Sequence, residues 1–138
     1  MPIRSSVTTL FAVFAFPLTT QGGTSCRPAD RHSANYVAYV EEFVASTDSA
    51  TVALRQSLGL GSVTDGQISL LTSGTACRKL MDALNELAGT PGAARTGYVV
   101  RVGMNHYFVR DLKATAGEYN PTFVFDSKYK LLKALLGA

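Results

Sequence analysis

The sequence predicts an α+β domain, with N-terminal helices packed in two layers on a C-terminal antiparallel β-meander. Three observations lead there. Apolar residues recur at helical spacing in most of the region from about residue 34 to 88. They alternate in strand-like runs from about residue 98 onward. Gly, Asn, Ser and Pro clusters separate the segments. Helices gathered on one side of the sequence and strands on the other is the pattern of an α+β fold. The chain of 138 residues has room for one domain. Its 46% hydrophobic and 17% charged residues exclude wholesale disorder, collagen-like and coiled-coil composition. There is no internal repeat, and no apolar run reaches the ~18 residues of a membrane-spanning helix.

Residues 1–25 read as a secretory signal peptide, leaving residues 26–138 as a single small domain. Arg4 is the only charge before Arg27. Val7 to Leu18 is apolar, Pro17 breaks it near its end, and the small polar run TTQGGTS follows. Gly23 stands where a lipoprotein signal needs an apolar residue, so lipidation at Cys26 is the lesser alternative. The predicted location is secreted or periplasmic.

In the remaining chain, CRPADRHS (26–33) reads as a loop with Ser33 as helix cap. Apolar residues at 36, 37, 40, 43 and 44 predict a helix over 34–46, although the Val and Tyr content also allows a strand. A cap cluster at Thr47 to Ser49 opens a second helix over 49–58, stopped by Gly59 and Gly61. QISLLTS predicts a short strand. A third helix follows, capped by Ser73 or Thr75 and reaching Ala88, with the stripe Cys77, Leu80, Met81, Leu84, Leu87 and Ala88. Strands at 98–102 and 107–111 then flank a four-residue turn, Gly103 to His106. TFVFDSKYKLLKALL predicts a last hairpin turning at Asp126-Ser127-Lys128, with a helix over 129–136 as the alternative.

Charge is uneven. Residues 26–94 carry five basic and seven acidic side chains, residues 95–138 seven and three. The pI near 9.0 therefore comes from the C-terminal part. That allows attraction to an acidic polymer. The basic residues lack the aromatic interleaving of a nucleic-acid module, so specific nucleic-acid binding is not expected. Outside the cytosol a cysteine pair tends to oxidise, and Cys26 with Cys77 is the one candidate disulfide. The alternative is a buried Cys77 thiol and an unpaired Cys26.

Along this stretch, RQSLGL, TACRKL at a helix start, YVVRVG with YFVRD, AGEYNP and VFDSKY resemble a group of small uncharacterised exported bacterial proteins. The likeness spans about residues 47–135. It implies the α+β fold and export, and it brings no functional residues with it.

Cys77, His106 and Asp126 (or Asn120) follow the chain order of thiol hydrolases. Cys77 at a helix start would have its thiol pKa lowered by the helix dipole. His106 would have to be its base, yet a histidine at a hairpin tip is expected to be solvated. Two distant histidines, His32 and His106, give no metal-ligand spacing, and no cofactor motif is present. Glu118, after Gly117 in the loop between the hairpins, is expected to pin that loop or to join a site. Arg101, Tyr107, Arg110, Glu118 and Lys130 form the candidate binding face. The leading expectation is a non-enzymatic exported domain that binds an envelope protein or acidic polymer. A thiol-dependent hydrolase or redox protein using Cys77 is the alternative, and a structural envelope component is a third reading.

Overall fold

The computed structural model describes residues 25–87, 95–112 and 120–136. Most of the expected signal segment, and Glu118, lie outside the described residues.

The chain opens with β1 (Ser25–Cys26), where the sequence predicted loop. α1 (Arg31–Ala45) starts three residues before the expected position because Asp30, not Ser33, caps it. Asp30 Oδ1 accepts the Ser33 N–H at 2.8 Å, and Ser33 Oγ accepts the Asp30 N–H at 3.2 Å. Each residue satisfies a donor that the helix end would leave orphaned. α2 (Ser49–Ser57) is capped by Asp48, which accepts the Thr51 N–H at 3.0 Å. Its Arg55 guanidinium reaches back to the carbonyls of Phe43, Val44 and Ser46, closing the C-terminal end of α1. Gly59, at φ +77°, ends α2 and turns the buried Leu58 and Leu60 into the core.

A single 3-10 turn at Asp65–Gln67 leads into β2 (Ile68–Leu71). α3 (Thr75–Leu87), β3 (Thr96–Val102), β4 (His106–Asp111), β5 (Thr122–Asp126) and β6 (Leu131–Leu135) follow. β3 to β6 form the expected meander, and the last segment is strand. β2 pairs antiparallel along Val99–Val102 on the other edge of β3, and β1 pairs parallel beside it at Thr96 and Gly97. A Cβ on Gly97 would run into the Arg110 carbonyl oxygen, so only glycine lets β3 and β4 approach there.

The two-layer expectation is corrected. Tyr98, Val100, Val102, Phe108 and Val124 share a core with Tyr36, Val40 and Val44 of α1. Val99, Tyr107, Val109 and Phe125 share a second core with Cys77, Leu80, Met81 and Leu84 of α3. Successive strand residues point to opposite faces, so strands β3 to β5 are buried on both sides and sit between helices. The stripe of α3 also stops early: Leu84 is 1% exposed and Leu87 is 48% exposed.

Two turns differ from expectation. The β3–β4 turn is Gly103, Met104 and Asn105, and His106 pairs with Val102 as part of the strand. In the β5–β6 turn Tyr129 adopts φ +65°, a conformation that disfavours residues bearing a Cβ by about 1–2 kcal/mol. Stacking on Tyr107 at 5.9 Å and the Lys79 ammonium 5.2 Å from its ring offset that strain.

Candidate functional site

The thiol constellation does not assemble. Cys77 lies in the first turn of α3 and forms a disulfide with Cys26, with Cα atoms 6.4 Å apart. His106 lies on the opposite face of the sheet, in register with Asp126 on β5. Its ring faces Gly59, 3.6 Å from where a Cβ on that glycine would stand. Asp126 serves its turn: Oδ1 accepts the Lys128 N–H at 2.8 Å and the Lys130 N–H at 3.0 Å. Those bonds, that of Lys130 foremost, hold its carboxyl below the usual carboxylate range. The sheet thus parts the sulfur from the imidazole, and the disulfide removes the nucleophile.

The predicted binding face is divided too. Arg101 and Tyr107 stand opposite each other in register on the α3 side. Arg110 is in register with Tyr98 on the α1 side, its guanidinium 5.6 Å from the centre of the Tyr36 ring. Lys130 is exposed in the last turn. Alternation along β3 and β4 makes this split unavoidable, because Arg101 is paired with Tyr107 and Arg110 is three residues further along β4.

What the fold does bring together is a cleft of about 450 Å³ on the α1 side. Arg27 comes from the segment after β1, its own N–H donating to the Gly97 carbonyl at 3.0 Å. His32 and Asn35 come from the first turns of α1, Tyr98 from β3, Arg110 from β4 and Asn120 from the segment before β5. Arg110 is half-buried, whereas Arg27, His32 and Asn35 are exposed. The Tyr98 hydroxyl donates to Asp30 Oδ1 at 3.2 Å, which leaves its oxygen lone pairs to accept. Among the described residues neither guanidinium has an acidic partner, and no carboxylate lines the cleft. The arrangement can hold an anion, and it offers no nucleophile with an adjacent base.

Of these six residues, the sequence singled out only Arg110 for a binding face. The others come from segments that share no motif, and only the packing of α1 on β3 and β4 gathers them. Arg101 borders a separate, smaller cleft of about 240 Å³ with Gln67, Ser69 and Met104, where it is the sole cation. Among the described residues no group of three or more His, Cys, Asp or Glu side chains could hold a metal ion. No helix among them is long and apolar enough to cross a membrane. No family model matches the chain, and no curated protein or solved structure is similar enough to count as a relative.

Proposed function

We propose that this chain is an exported, non-enzymatic binding domain that engages an anionic ligand through the cleft between the start of α1 and strands β3 and β4. One observation carries the reading: Arg27 and Arg110 converge on one cleft with His32 and no facing carboxylate among the described residues. Unpaired guanidiniums beside neutral hydrogen-bonding groups suit recognition of anions. Export is supported by the apolar, signal-like residues 7–18 and by the Cys26–Cys77 disulfide, a bond that persists in oxidising compartments.

The test is a nuclear magnetic resonance titration of the oxidised protein against a panel of small anionic and neutral compounds. The expected result is ligand-dependent shifts at the amides of His32, Asn35 and Arg110, with the compounds recovered unchanged. Shifts confined to the α3 face, or chemical turnover of a compound, would overturn the proposal.

A further inference from the structure

We infer that the cleft takes a polyhydroxylated carboxylate, a sugar acid of the uronate type. The inference rests on reading the cleft as the binding surface and names the chemistry of its ligand. Arg27 and Arg110 bind the carboxylate, and Asn35, Tyr98 and Asn120 bind hydroxyls.

The polar groups of the cleft favour a hydroxyl-bearing occupant. A guanidinium presents a planar fork that matches a carboxylate with two parallel hydrogen bonds. The Arg110 guanidinium carbon stands 5.6 Å from the centre of the Tyr36 ring, a cation–π contact that favours this position of the side chain. The neutral groups, however, can accept as well as donate. Asn35 and Asn120 each present a side-chain carbonyl as well as an amide N–H₂, and neither has a hydrogen-bond partner among the described residues. Tyr98 spends its proton on Asp30 and turns to the cleft as an acceptor. Hydrogen phosphate and dihydrogen phosphate carry only one or two O–H donors, so at least one of these three oxygens would go unanswered. A ligand with one anionic group and several hydroxyls answers all of them. The volume of about 450 Å³ falls within the ~300–1,000 Å³ span of small-molecule sites.

Calorimetric and magnetic-resonance titrations of the oxidised protein use glucuronate, its methyl ester and inorganic phosphate. The ester keeps every hydroxyl and loses the charge. Glucuronate should move the cleft amides, with the ester and phosphate each weaker by about tenfold or more. Arg27→Ala, on an exposed side chain, should weaken glucuronate by about tenfold. Arg110→Lys keeps the charge, loses the fork, and should do the same. Lys133→Ala, on exposed β6, should change nothing. A uronate disaccharide that binds more tightly than glucuronate assigns the end of a glycan, and equal binding assigns the free acid; both retain the class. An ester that binds as tightly as the acid, or phosphate that binds as tightly as glucuronate, overturns the inference while leaving the cleft a binding site. No response to glucuronate overturns it as well, and the broader panel then decides separately whether the cleft binds anything.

Discussion

The Tyr98 hydroxyl donates to Asp30 Oδ1 at 3.2 Å, joining β3 to the N-cap of α1 across 68 residues of chain. Asp30 also caps Ser33, so one carboxylate fixes both the start of the helix and the tyrosine that borders the cleft.

That carboxylate has a pH consequence. The Ser33 backbone N–H, chiefly, and the Ser33 and Tyr98 hydroxyls favour its charged form and hold it below the ordinary aspartate range. Asp48 and Asp126 are lowered in the same way by the N–H groups of Thr51 and Lys130. A depressed folded-state value means the stabilisation is present above about pH 4, where an unfolded aspartate titrates, and is lost as the pH falls through the folded value. Urea midpoints measured from pH 6 down to pH 2 should therefore decline below about pH 4, and Asp30→Ala should flatten the decline.

Leu84 and Leu87 should differ sharply. Leu84 is buried against the sheet and Leu87 is half in water. Leu84→Ala should destabilise by about 2–5 kcal/mol through lost burial and the cavity left behind. Leu87→Ala should stay within about 1 kcal/mol. Urea unfolding of both variants checks this, and equal effects would contradict the position of α3.

Removing the disulfide should be costly. It closes a span of 51 residues, which corresponds to roughly 4 kcal/mol in the chain-entropy account. The double variant Cys26→Ala/Cys77→Ala should unfold at a urea concentration lower by an amount equivalent to about 2–5 kcal/mol. Wild type in reductant should move in the same direction.

Arg55 is the side chain whose importance the sequence hid most completely. Arg55→Ala would strip the α1 carbonyls of Phe43, Val44 and Ser46 of a charged donor and should destabilise by about 1–3 kcal/mol. Arg78→Ala, whose guanidinium makes one exposed bond to Thr75 at 3.4 Å, should change stability by no more than about 0.5 kcal/mol. Thermal unfolding of the pair checks the contrast.

Helical and strand periods in the sequence identified α1, α2, α3 and the meander because each carries a local signal. α3 is legible because Cys77, Leu80, Met81 and Leu84 repeat on one side of a helix. The layer count was readable in principle but weakly. Tyr98-Val99-Val100 and Tyr107-Phe108-Val109 are unbroken apolar runs, and a strand buried on both faces needs such runs where a half-exposed one alternates. The start of α1 is ambiguous in the sequence because Asp30 and Ser33 are both good caps, and in the structure they bond to each other. The sequence does not fix which side of the turn His106 falls on, because Gly103-Met104-Asn105-His106 permits either a three- or a four-residue connection. The cleft left no such trace: its six polar residues span positions 27 to 120, and their meeting depends on which face α1 covers.

The Cys26–Cys77 bridge also decides how load enters the molecule. β1 offers two residues of pairing to β3, a contact that tension along the N-terminal strand would peel apart. The covalent link carries that tension past β1 into the first turn of α3, whose Leu80, Met81 and Leu84 spread it over one whole face of the sheet. Strain entering at Cys26 would thus be gripped through the core, and the cleft on the far face would keep its shape.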